Sequence, residues 1–184
     1  MWRFVSLGLV VIAALAQASD NGGGARDFDF LIGVWNVHSR YLQGRLQRSQ
    51  KWGEFEGHSQ MRPLSNGLGN VDEYTFLRDG KQVHGVAFRL WNSTTNQWAI
   101  YWADSIMPGV IQPPLFGGFT GDAGEFIGDD TFDGKKILCR FRWMRSASPR
   151  WEQAFSADGG KTWETNWIMT FTKDKVVRSR PLIR

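Results

Sequence analysis

The sequence predicts an all-β domain, an antiparallel up-and-down β-barrel of about ten strands preceded by a short N-terminal helical turn. Three observations carry this expectation. Turn chemistry recurs along the chain: Ser65-Asn66-Gly67, Asp79-Gly80, Asn92 to Asn96, Gly121-Asp122, Asp133-Gly134 and Asp158-Gly159-Gly160. Between these breaks, apolar and polar residues alternate with the period of two that a half-buried strand requires. After Trp35 no stretch repeats at the helical period.

The chain opens MWRFVSLGLVVIAALAQASD. Arg3 supplies a positive start, residues 4–15 are largely apolar, and Ala16-Gln17-Ala18 supplies the small residues of a cleavage site. The pattern predicts a secretory signal peptide over 1–18, cut after Ala18, and hence a periplasmic or secreted protein. The apolar run is shorter than the roughly 20 residues of a spanning helix, so no stable membrane insertion is expected after cleavage. Residues 19–26 contain Asn21 to Gly24 (NGGG) and read as a flexible leader.

Residues 27–172 read as one domain. Asp27 to Ile32 (DFDFLI) is apolar and too short for a full helix, so it is expected to make one turn that plugs part of the fold. Strands follow near 34–42, 49–60, 70–77, 82–91, 97–104, 115–120, 125–132, 135–145, 150–156 and 163–172. Pro113-Pro114 marks a longer connection, a candidate rim loop. Many short connections suit hairpins in series. Two arrangements satisfy this, a sandwich and a closed barrel. Closure is favoured because it removes exposed edges in a chain with no obvious edge guards. Residues 173–184 form a basic tail: Lys173, Lys175, Arg178, Arg180 and Arg184 face only Asp174.

That tail accounts for the formal net charge of +4, leaving the body close to neutral. No nucleic-acid footprint is therefore expected; the sharper reading of the tail is loose contact with an anionic surface. Cys139 is the one cysteine, which excludes an internal disulfide. It alternates with Ile137, Phe141 and Trp143, and reads as a small buried hydrophobe rather than a catalytic thiol.

Several motifs suggest chemistry and then fail on their own terms. Gly128 to Gly134 (GDDTFDG) places oxygen-bearing residues like a calcium loop, but the position that should be glutamate is Arg140, so a hairpin turn is the better reading. His38, His58 and His84 lie on different expected strands, with no zinc spacing. A haem-type variant would need His84 or His38 inside the barrel. No cofactor and no metal is expected. Ser156-x-Asp158-x-Gly160-x-Thr162-Trp163 resembles the Asp-box of sialidase-type propellers, a structural hairpin. One copy cannot build a propeller, so no glycosidase activity follows.

The remaining signal is two-sided. One parity collects Trp98, Ile100 and Trp102; Ile137, Cys139, Phe141 and Trp143; Trp151, Gln153 and Phe155; and Trp163, Thr165, Trp167, Met169 and Phe171. The other collects Arg140, Arg142, Arg150, Glu152, Glu164 and Asn166. The plain reading puts the aromatic parity inside and an ionic ladder outside. Glu54, Glu73, Arg89 and Tyr101 lie on strands whose inward face the pattern does not settle. An arginine beside a tyrosine inside a barrel suits a carboxylate ligand. The ligand-binding candidates are Trp102, Trp143, Trp151, Gln153, Trp167, Arg89, Tyr101 and Glu73.

Gly33-x-Trp35 at the first strand resembles the lipocalin and calycin signature, in which the tryptophan closes the barrel floor. Such families often pair it with an arginine near the last strand, for which Arg178 and Arg180 are the candidates. Beyond that signature, DFDFLIGVW (27–35), Trp52 to Gly57, NGLGNVDEY (66–74), QWAIYWAD (97–104), Phe141 to Trp143 and residues 150–169 resemble an uncharacterised bacterial family of calycin-like barrels. The resemblance implies a single barrel domain and no settled activity.

Three functions remain open. The first is an exported barrel binding a small hydrophobic or amphipathic molecule in an aromatic-lined cavity. The second is a barrel enzyme (isomerase, cyclase or hydrolase) with Glu73 or Glu152 as base beside Arg89 or Arg142. The third is an interaction module with a filled core. The volume of the barrel interior and its lining separate them.

Overall fold

The computed structural model describes residues 24–175. The expected signal peptide and the arginine candidates Arg178 and Arg180 lie outside the described residues. Ten strands are present: β1 (Gly33–Leu42), β2 (Trp52–Pro63), β3 (Gly69–Arg78), β4 (Lys81–Asn92), β5 (Gln97–Asp104), β6 (Leu115–Thr120), β7 (Ala123–Phe132), β8 (Lys135–Met144), β9 (Arg150–Ser156) and β10 (Glu164–Lys173). Each pairs antiparallel with its neighbour in sequence, and β10 returns to β1, so the sheet closes into a barrel. Asp29–Leu31 forms a single 3-10 turn ahead of β1.

Parity decides what fills the barrel. Trp35, Val37 and Ser39 on β1 are buried, as are Ile137, Cys139 and Trp143 on β8 and Trp151, Gln153 and Phe155 on β9. The partners of opposite parity form an outer ionic ladder: Arg142 to Glu125 at 2.7 Å and Arg150 to Glu152 at 2.6 Å. Each such exposed pair contributes roughly 0–1 kcal/mol.

The parity expected for the start of the last strand is corrected by a β-bulge. The register of β10 against β9 shifts between Thr165 and Trp167. Before the shift Glu164 stands opposite the buried Phe155; after it Trp167 stands opposite Gln153. One extra residue, Asn166, is fully buried at the bulge and accepts a hydrogen bond from Gln153 Nε2 at 2.9 Å. Trp163 and Thr165 therefore leave the inner face, because a bulge of one residue inverts alternation on one side of itself. Outside, Trp163 lies under the Arg140 guanidinium, 4.3 Å from its ring centre.

One end of the barrel is filled. Phe28, just ahead of the 3-10 turn, is buried and packs edge-on against Trp98 and Phe119, with Phe126 and Trp143 also in reach. Asp27 anchors this plug, accepting from Arg145 Nη2 at 2.7 Å and from the Trp98 indole at 3.2 Å. Below it, Trp35 donates its indole N–H to the Leu31 carbonyl at 2.7 Å. The cation over Trp35 is Lys173, whose Nζ lies 4.2 Å from the ring centre and donates to the Ile32 carbonyl at 2.6 Å.

Candidate functional site

The opposite half of the barrel is hollow. A cavity of about 480 Å³ opens at the end that carries the β1–β2 connection, the β3–β4 turn and the β5–β6 loop. That volume lies within the range of small-molecule sites, roughly 300–1,000 Å³. Its deep wall is aromatic: Trp143, Trp151, Trp167, Phe141 and Phe155, with Tyr74 and Phe76 opposite. The rings meet at angles; Trp151 and Trp167 pack edge-on at 5.6 Å, and Phe141 and Trp151 at 4.9 Å.

Arg89 forms the floor. Its side chain is 2% exposed and paired with an Asp72 carboxylate that is completely buried, at 3.0 Å. Alternation on β3 places Asn70, Asp72 and Tyr74 on one face, and register sets Asn70 opposite Arg89. Arg89 Nη1 donates to Asn70 Oδ1 at 3.0 Å; Ser59 and Tyr74 donate to Asp72 at 2.6 and 2.7 Å. The guanidinium also lies between aromatic faces, 4.9 Å from the Phe28 ring centre and 5.4 Å from that of Trp143. Burial works against the Arg89 charge, but Tyr74 and Asp72 beside it more than offset that and hold its pKa above the ordinary value. Burial first, and Asp72 second, push the Tyr74 phenol well above its usual range, so it stays a protonated donor.

Among the described residues, three N–H groups of lining side chains are buried without a hydrogen-bond partner: Arg89 Nε, Trp143 Nε1 and Trp167 Nε1. Each unpaired buried donor costs about 1–3 kcal/mol. Gln153 is also at the wall, holding Asn166 with its amide.

The mouth carries a second basic group. Arg45, from the β1–β2 connection, and Arg78, at the end of β3, both border the cavity. Burial, and then the neighbouring Arg78, pull the Arg45 pKa down to about 10. The β5–β6 loop contributes Ile106, Met107 and Val110, each lining the cavity and exposed. Hydrogen bonds from Ile106 and Met107 N–H to Asp104 Oδ1, at 2.9 and 3.1 Å, fold this loop back on β5. Gly85 makes room for Trp102 on this wall: a Cβ there would come within 2.2 Å of the indole.

Of the sequence candidates, Trp102, Trp143, Trp151, Gln153, Trp167 and Arg89 line the cavity together. Tyr101 lines it as well, although register pairs it with Phe88, of opposite parity to Arg89. Glu73 is corrected: it is exposed on the outer face, 3.8 Å from Arg62, because alternation turns its neighbour Asp72 inward instead. Glu152, with Arg150, and Arg142, with Glu125, are outside as well, so the base and partner expected for a pocket enzyme do not meet in the cavity. Glu54 faces outward with Arg40, at 3.4 Å. His38 contacts Glu56 on the outer face, and His58 and His84 are exposed, so no histidine reaches the cavity as an axial ligand would. Among the described residues no group of three or more His, Cys, Asp and Glu is placed to hold a metal ion. Cys139 is buried, with its thiol pushed up chiefly by desolvation.

Sequence reasoning missed Asp72, Arg45 and Arg78. The first had a signal, the spacing Asn70-x-Asp72-x-Tyr74 on one strand face; the other two stand at strand ends or in a connection, where no periodicity marks them. No protein-family model matches the chain, and no curated protein matches it.

Proposed function

We propose that this chain is an exported, calycin-like barrel that binds a small hydrophobic or amphipathic molecule in its cavity. The observation that carries the reading is the aromatic-walled cavity of about 480 Å³ above the Arg89 floor. A filled interaction module would have packed that space, since protein interiors close to near-crystalline density. The Gly33-x-Trp35 floor, tied down by Leu31 and Lys173, supports the calycin-like reading. The opening signal-like segment supports export, which N-terminal sequencing of the mature protein checks by a start at Ser19.

Apolar side chains lining a cavity lose contacts that a guest restores. The test is titration with N-phenyl-1-naphthylamine, a neutral apolar fluorophore, read by its emission and by tryptophan quenching. Saturable one-to-one binding that weakens when Ala87→Phe adds bulk at a lining position supports the reading. Absence of saturable binding to the wild-type protein overturns it.

A further inference from the structure

We propose that Arg45 and Arg78 form an anion seat at the cavity mouth, so that the ligand is an anionic amphiphile, its acid group at the mouth and its apolar tail against Trp143, Trp151 and Trp167. This rests on the ligand-binding reading and adds the chemistry of the head group.

The two guanidiniums share one ring. Arg45 lies 4.3 Å from the centre of Tyr41, and Arg78 4.9 Å. Arg45 is further flanked by Phe132 at 5.0 Å and Phe155 at 5.2 Å. Its place is fixed by the next residue, Leu46, whose N–H donates to Glu164 Oε1 at 2.7 Å. Two like charges are thus held together on aromatic surface at the entrance to an apolar hollow.

Neither is matched by a close carboxylate. Arg78 reaches only Asp79, at 4.0 Å and on an 89% exposed side chain. Among the described residues no carboxylate forms an ion pair with Arg45; Asp130 and Asp133 are near enough to favour its charge without contacting it. The two carboxylates that line the mouth, Asp104 and Asp130, accept from other groups than these arginines. Asp104 accepts from the Trp102 indole and from the N–H groups of Ile106 and Met107. Asp130 accepts from Thr131 N–H at 2.7 Å. An anionic head group therefore finds two donor forks that no carboxylate among the described residues approaches more closely than 4.0 Å. Guanidinium and carboxylate match in planar, two-point geometry, which makes a carboxylate the best-fitting acid. The floor does not serve instead: the Arg89 Nη atoms are held by Asp72 and Asn70, and its Nε is buried.

The experiment is displacement of N-phenyl-1-naphthylamine by decanoate and by decanol at pH 7 and low salt. They share a tail length and differ in the head. The expected result is decanoate preferred by about tenfold or more in the wild type, a preference that falls with added salt. In R45Q/R78Q decanoate should lose about tenfold while decanol changes by less than about twofold, which also reports an intact cavity. Should that double variant not fold, R78Q alone and the wild-type salt titration carry the test. Equal affinity for both competitors in the wild type, or an acid preference that survives both substitutions, overturns the anion seat while leaving the cavity reading intact. Failure of the fluorophore to bind at all removes both.

Discussion

The Arg89 guanidinium and the Asp72 carboxylate lie 3.0 Å apart in the barrel interior, with the arginine side chain 2% exposed and the aspartate fully buried. Removing one partner of such a pair leaves an uncompensated buried charge, which costs about 3–5 kcal/mol. Replacing both by apolar groups removes the desolvation cost as well. Asp72→Asn is therefore expected to lower stability by several kcal/mol, and Asp72→Leu with Arg89→Met by clearly less than the sum of the two single changes. Urea unfolding of the wild type, Asp72→Leu, Arg89→Met and the double variant measures the coupling; additive losses would mean that the pair contributes nothing as a pair.

Trp102 and Gly85 give a prediction about the cavity rather than stability alone. The indole rests against β4 where a side chain on Gly85 would overlap it at 2.2 Å. Its N–H is held by Asp104 Oδ2 at 2.9 Å, so it has few alternatives on the wall. Gly85→Ala is expected to displace the ring, shrink the cavity and weaken N-phenyl-1-naphthylamine binding by about tenfold, with an overpacking cost of about 1–3 kcal/mol. Unchanged probe affinity in the folded variant would show that the ring moves elsewhere.

The strands were legible because turn residues and alternation are local signals, and ten short strands in series leave few closed arrangements. The aromatic wall was legible for the same reason: Trp143, Trp151 and Trp167 keep the parity of obvious core residues. Two kinds of feature were not. On β3, Asn70, Val71 and Asp72 are all buried, so burial there does not alternate, and the polar interior of Asp72 looks like surface next to Glu73. On β10, the bulge at Asn166 carries no glycine or proline to announce it, and it moved Trp163 and Thr165 to the other face. Contacts such as Arg45 with Phe155 join a connection to a distant strand, which spacing along the chain does not encode.

Asp158 makes the β9–β10 hairpin pH-dependent. Thr162 donates to it from both its hydroxyl, at 2.6 Å, and its N–H, at 2.9 Å, and Ser156 donates at 2.8 Å. These bonds favour the ionised form and pull its pKa from 3.8 to about 2. A carboxylate whose pKa is depressed on folding contributes stability above its unfolded value and loses it as pH falls through the folded one. The hairpin is therefore expected to loosen between about pH 4 and pH 2. Amide exchange at Gly160 and Thr162 should rise across that window beyond the intrinsic rate, and Asp158→Asn should remove the transition. Protection that is flat from pH 5 to 2 would rule the mechanism out.

Lys173 ties the last strand to the barrel floor through two contacts that act on different groups. Its ammonium donates to the Ile32 carbonyl at 2.6 Å and lies 4.2 Å from the Trp35 ring centre, while Trp35 itself holds Leu31. Ile32 and Leu31 belong to the segment that carries Phe28 into the core, so the lysine fixes the plug as well as the floor. Lys173→Met keeps the alkyl stem over Gly33 and Trp35 but removes the donor and the charge. At a largely exposed position the expected loss is about 1–2 kcal/mol, the hydrogen bond and the cation–π contact together. Lys173→Arg retains a donor and a cation that can stack on the indole, and should recover most of that. Thermal unfolding of both variants, with protection of the Leu31 and Ile32 amides as the local readout, checks the assignment. A Lys173→Met protein that unfolds with the wild type and keeps its plug protected would show that Trp35 and Phe28 hold the closed end without the lysine.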